Sequence, residues 1–240
     1  MLEVRYIFNV ENRPVNEYTI KNGGYQISVL NLGAALTKII VPNKDNKLEN
    51  ITLRYYDYKL YKTNPYYLGS LIDMKEIEQG KPDLLNYYFK CQVLENSLVF
   101  TYRDLGAYIS VIYTLIDNFV IIEYDNNMKL ELGQIIYFNL SGNIKTDILQ
   151  HQLTVNNFVL NPKKAIESFY KFTCNQDTEI VLSLNTNKIK CVVNLFTKAL
   201  YYNFGKLFTE SLYLNKKIPA QEYSAIGIAI ESKTAQFRFN

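Results

Sequence analysis

The 240-residue chain contains one histidine, His151, the only side chain whose ordinary pKa lies near neutrality. Proton-transfer chemistry at neutral pH must use that imidazole or recruit another group whose pKa has been moved. His151 lies in a stretch that reads Ile136-Tyr137-Phe138-Asn139-Leu140-Ser141-Gly142-Asn143, then Thr146-Asp147-Ile148-Leu149-Gln150-His151-Gln152-Leu153. Read locally, this is an apolar strand end from Ile135 to Leu140, a Ser-Gly-Asn turn, and a second strand entering through His151. On those terms His151 is a strand histidine satisfied by one hydrogen bond. Two carboxylates in the C-terminal third are also candidates. Asp177 reads as a turn aspartate before the strand Glu179 to Leu184, and Glu210, in Leu207-Phe208-Thr209-Glu210-Ser211, reads as a surface glutamate. Cys91, Cys174 and Cys191 are odd in number, with no short-range pairing and no metal-like spacing. They fit a reduced, cytoplasmic setting as core or strand residues, and no metal site is expected of them.

The elements that must position these groups read as strands. Tyr is abundant at 21 residues, Phe adds 13, and Trp is absent; flat and branched side chains pack well on a pleated surface. A strand from Tyr18 meets a turn at Asn22-Gly23-Gly24, a strand Tyr25 to Leu30, a bend at Gly33 and a strand Leu36 to Val41. Asn22-Gly23 tolerates the positive φ that a tight hairpin needs. Asn50 to Leu53, Ser97 to Tyr102, Tyr108 to Leu115 and Phe119 to Tyr124 continue the pattern. In Tyr108 to Leu115 one face carries Ile109, Val111, Tyr113 and Leu115, and the other carries Ser110 and Thr114, as in a half-buried antiparallel strand. Further strands are expected at Lys190 to Phe196, Ala199 to Phe204 and Tyr223 to Glu231, with a short turn of helix at Pro162 to Tyr170. The expected architecture is an all-β, single-domain antiparallel sandwich over residues 1–240. A formal charge of +3, with basic residues interspersed among acidic ones, lacks the basic stripe of a nucleic-acid footprint. No apolar run approaches the roughly 18 residues of a membrane helix. Neither a nucleic-acid nor a membrane partner is expected.

The stretch Tyr137-Phe138-Asn139-Leu140-Ser141-Gly142, followed by Ile148-Leu149-Gln150-His151-Gln152-Leu153, resembles the signature of the aldose 1-epimerase (galactose mutarotase-like) family. The N-terminal block resembles it too, through Asn22-Gly23, Asn31-Leu32-Gly33-Ala34 and Val41-Pro42-Asn43-Lys44. So does Ile218-Pro219-Ala220-Gln221-Glu222-Tyr223, where Ala220 replaces a Gly. The resemblance covers the whole chain, as a shortened and divergent member, and implies the galactose mutarotase-like supersandwich.

That resemblance implies mutarotation, the opening and reclosing of a free sugar ring by one base and one acid that exchange roles, with no metal or cofactor. It places the base on Glu210 and a hydroxyl-binding carboxylate on Asp177. It places the acid His on Ile135, which cannot exchange a proton. His151 matches a family histidine outside the acid–base pair. The family's sugar-contacting Arg residues are absent from Ser70 to Lys81, where Lys75 is the nearest cation. In place of the family's loop that supplies a first active-site His, Leu84 to Lys90 run directly into strands. The leading expectation is therefore a mutarotase-like, carbohydrate-associated protein, degenerate in epimerase activity and still able to bind a small sugar. The alternatives are an active aldose epimerase with Glu210 as base and a Tyr or bound water as acid, and a non-catalytic protein-interaction module. Whether Asp177 and Glu210 share one open pocket separates the sugar-binding reading from the interaction module.

Overall fold

Alternating apolar and polar side chains, interrupted by Gly, Asn and Asp, dictate short strands joined by tight turns. The computed structural model describes residues 2–76, 83–142, 146–160, 169–175, 178–186, 188–195, 199–203, 213–214, 218–219 and 223–240. In chain order the strands are β1 (Leu2–Val10), β2 (Arg13–Asn22), β3 (Tyr25–Leu30), β4 (Leu36–Pro42), β5 (Leu48–Asn50), β6 (Leu71–Asp73) and β7 (Lys90–Val93). Next come β8 (Ser97–Asp104), β9 (Ala107–Ile116), β10 (Phe119–Asn126), β11 (Leu132–Phe138), β12 (Gln152–Val155), β13 (Phe158–Leu160) and β14 (Tyr170–Thr173). The last are β15 (Glu179–Leu184), β16 (Ile189–Leu195), β17 (Ala199–Asn203), β18 (Tyr213–Leu214), β19 (Ile218–Pro219), β20 (Ile226–Glu231) and β21 (Thr234–Phe239). Only three short 3-10 turns interrupt them among the described residues. None of the described helices is long and apolar enough to cross a membrane.

The strands form an N-terminal sheet, β1-β2-β3-β4-β5, and a nine-stranded sheet, β13-β12-β15-β16-β21-β10-β9-β8-β7. A five-stranded sheet, β14-β17-β20-β11-β6, and the small β18-β19 pair complete the set. Pairing between strands is antiparallel throughout. The larger core takes Ile27 and Ile39 from the N-terminal sheet, Phe100, Val111, Ile122 and Phe237 from the nine-stranded sheet, and Phe138 and Ile228 from the third. A second core, rich in tyrosine, gathers Tyr55, Tyr58 and Tyr61 with Ile135, Tyr137 and Tyr201. Burial of this much apolar side chain, at about 25 cal/mol per Å², is the main force closing the sandwich.

Several boundaries differ from the sequence-based expectation. The strand expected at Asn50 to Leu53 ends at Asn50, because Ile51 still donates to Ile39 O while Leu53 already donates to Tyr137 O, so the chain leaves one sheet for the other. Leu84 lies in a 3-10 turn, Asp83–Asn86, and does not enter a strand directly. Tyr170 opens β14, whereas residues 161–168 lie outside the described part. Two edge or terminal strands, β1 and β21, were not expected from the pattern.

Candidate functional site

Every residue of β11 is buried. It lies between β20 and β6, with Ile135 opposite Ala229 and Gln134 opposite Leu71. Side chains on a strand alternate between faces. Ile136 and Phe138 accordingly enter the larger core, whereas Ile135 and Tyr137 enter the tyrosine-rich one. Ile135 is fully buried, packed in the cluster that also holds Leu53, Leu68, Ile72 and Ala229. Its carbonyl accepts from Gly69 N at 2.8 Å. The position that family resemblance gives to a proton donor is thus hydrocarbon inside hydrocarbon.

The opposite-facing polar residue of β11, Gln134, is occupied structurally. Its Nε2 lies 2.9 Å from Ala34 O and 2.7 Å from Gly69 O, and its Oε1 accepts from the Tyr124 hydroxyl at 3.3 Å. Asn139, at the strand end, donates to Thr146 O and Ser224 O, both at 2.9 Å, and accepts from Ser141 N at 3.1 Å. It is the clasp of the Ser-Gly turn.

His151 is buried to 4% exposure, and its Nε2 accepts from Leu140 N–H at 2.8 Å. An imidazole nitrogen that accepts carries no proton, so the proton sits on Nδ1. Nδ1 is buried and makes no hydrogen bond. Burial pushes the pKa down to about 4, with Asp147 and the nearby Ile148 carbonyl offsetting only part of the shift. This histidine is neutral at physiological pH and ties the start of β12 to the Ser-Gly turn.

The phenols of the second core do not replace it. Tyr55 donates to Asn64 Oδ1 at 2.8 Å, and Tyr55 and Tyr61 meet edge to face at 5.0 Å. Burial raises the pKa of Tyr55, Tyr58, Tyr61 and Tyr137 above the ordinary phenol value. A general acid works best with a pKa near the working pH, so these hydroxyls are moved the wrong way.

Sequence reasoning missed the most heavily ligated charge among the described residues. Glu17, 2% exposed, takes Tyr58 OH and Thr37 Oγ1 on Oε1, both at 2.6 Å, and Arg5 Nη2 and Lys38 Nζ on Oε2, both at 2.9 Å. Burial would raise its carboxyl, but the Lys38 charge and these hydrogen bonds outweigh it and hold the pKa below its usual value. The signal was period two: Val15, Glu17 and Thr19 alternate inward along β2. The pairing is complete, so Glu17 is a structural hub. Lys75, the nearest cation to the missing arginines, is exposed and pairs with Glu131 at 3.3 Å. Asp177 and Glu210 lie outside the described residues, as does Lys81.

Among solved structures, the chain superposes on the GalM/aldose epimerase homologue from C. elegans with a TM-score of 0.74 and 15% identity, covering 94% of this chain and 99% of that one. It matches galactose 1-epimerase from Lactobacillus acidophilus NCFM with a TM-score of 0.73 and 14% identity, covering 100% of this chain and 98% of the other. This chain has the galactose mutarotase-like fold. A galactose mutarotase related enzyme from Lactobacillus acidophilus gives a TM-score of 0.64 at 12% identity, covering 93% and 97%. No protein-family model and no curated protein matches the sequence. At such identity the mutarotase-like fold is what is shared, and chemistry must be argued from this chain's own side chains.

Proposed function

We propose that this chain is a carbohydrate-binding protein on the mutarotase-like fold that has lost the proton-transfer chemistry of aldose 1-epimerases. The observation that carries the reading is Ile135, fully buried on β11 where the resemblance puts the acid. A positioned acid or base contributes about 10²- to 10⁴-fold. Losing the acid, while the one histidine is held neutral with Nε2 engaged as an acceptor, removes most of that gain. Glu210 and Asp177 then serve as hydroxyl acceptors for a bound sugar, with no metal and no cofactor. The assay is anomer exchange of glucose and galactose, followed by NMR with the purified chain at neutral pH. No acceleration over buffer, together with saturable binding of one of the sugars, is the expected result. Acceleration that Glu210→Gln abolishes would overturn it in favour of an active epimerase with a non-histidine acid.

The protein-interaction reading draws on one observation. Leu2, Val4 and Tyr6 are exposed at alternate positions of β1, an edge strand. Concentration-dependent self-association, lost in Val4→Lys, together with no sugar binding, would favour it.

A further inference from the structure

A groove of about 490 Å³, whose lining does not include Ile135, lies between the start of β2, β7 and the end of β8. Its lining carries three cations, Arg13, Lys90 and Arg103, and one carboxylate, Asp104. Among the described residues, no carboxylate pairs with any of the three. Like charges gathered in one concavity repel, and Asp104 offsets only one of the three.

Two of the cations are oriented. The Arg13 guanidinium lies 5.8 Å from the centre of the Tyr88 ring, and that of Arg103 lies 5.2 Å from the centre of Tyr108. Tyr88 is itself fixed, donating its hydroxyl to Pro14 O at 2.7 Å. Tyr102 is braced by Tyr87, with ring centroids 4.4 Å apart. A guanidinium held against an aromatic ring loses little entropy on pairing and offers a planar fork that suits carboxylate or phosphate. A second concavity of about 680 Å³ shares Arg103 and Asp104 and continues along the hairpin end.

Asp104 narrows the class of ligand. Its Oδ2 accepts from Tyr102 OH at 3.3 Å, which leaves carboxylate acceptor capacity in the groove. A carboxylate there repels a continuous phosphate backbone but accepts hydroxyl hydrogens. The Thr101 hydroxyl, on the same wall, can do the same. We infer that this groove binds an acidic sugar, a polyhydroxylated ring bearing a carboxylate or a phosphate. Arg13, Lys90 and Arg103 take the anionic group, and Asp104 and Thr101 take hydroxyls. None of these residues belongs to the site proposed above, so the two readings stand or fall separately.

The test is an amide-resolved NMR titration of the full chain with galacturonate, galactose 6-phosphate, galactose, inorganic phosphate and a thymidine oligonucleotide. Saturable shifts confined to the amides around residues 13, 88–90 and 101–106, with galacturonate or galactose 6-phosphate, are expected, and whichever responds identifies the anionic group. Arg13→Ala with Arg103→Ala weakens that response by about tenfold or more, as expected for lost charge-assisted hydrogen bonds, with an unchanged melting temperature. Lys90→Gln weakens it less and provides a second variant at an exposed site. No response, shifts centred elsewhere, or an equal response to neutral galactose would overturn the inference. Inorganic phosphate binding as well as the sugars, or a thymidine oligonucleotide binding more tightly, would overturn it as well.

Discussion

Acidification singles out His151. In the folded chain burial pushes its pKa down to about 4, from the ordinary imidazole value of 6.5. The unfolded chain therefore takes up a proton first, and stability rises with pH across that window. The contribution is fully present above pH 6.5 and is lost as the pH falls toward 4. A shift of one pKa unit corresponds to about 1.4 kcal/mol, so moving from pH 7 to pH 4 costs the native state about 3 kcal/mol through this residue. The structural reason is specific. Protonating Nε2 removes the acceptor for Leu140 N–H and places a charge in a site with 4% exposure. The assay is urea unfolding at pH values from 4 to 7, for the native chain and for His151→Gln, whose amide oxygen can still accept but does not titrate. Carboxylates such as Glu17 titrate in both chains and cancel in the difference. The stability of the native chain relative to the variant should fall by about 3 kcal/mol across the range. A difference that stays flat to about 0.5 kcal/mol would mean that His151 titrates alike in both states, and the reasoning from its burial and acceptor role would fail.

Other perturbations test the same frame. Glu17→Gln leaves Lys38 and Arg5 around a neutral amide and should cost about 3–5 kcal/mol in urea unfolding, as when one partner of a buried pair is removed. Ile135→Ala opens a cavity beside Tyr137 and should cost about 2–5 kcal/mol, with no gain of epimerase activity. Gly69 has φ +61°, and a Cβ there would collide with the Leu36 carbonyl. Gly69→Ala should therefore yield insoluble or unfolded protein, read by expression yield and circular dichroism, and a stable, soluble variant would contradict that backbone geometry.

Strand identity was legible in local chemistry. Tyr25–Leu30 and Glu179–Leu184 coincide with the expected segments, since alternation and turn residues act within a few positions of each other. The inward face of β9 was legible too, with Ile109, Val111, Tyr113 and Leu115 all buried, although Ser110 on the other face is buried as well. The edge strand β1 was less visible, because Leu2, Val4 and Tyr6 alternate like a core face yet are exposed.

What the sequence determined by itself is the type of residue at each position that could do chemistry. One histidine exists, and isoleucine stands at position 135, to which the family resemblance assigns the acid. Tertiary structure alone decided the environments that set what those residues do. Leu140 N–H fixes the tautomer of His151, and the second core encloses Ile135 in hydrocarbon. Glu17 becomes an ion-pair hub only because β1, β4 and the segment after β5 bring Arg5, Lys38 and Tyr58 onto it across 12 to 41 positions of chain. Desolvation and pairing depend on neighbours distant in sequence, and no local pattern encodes which neighbours those will be.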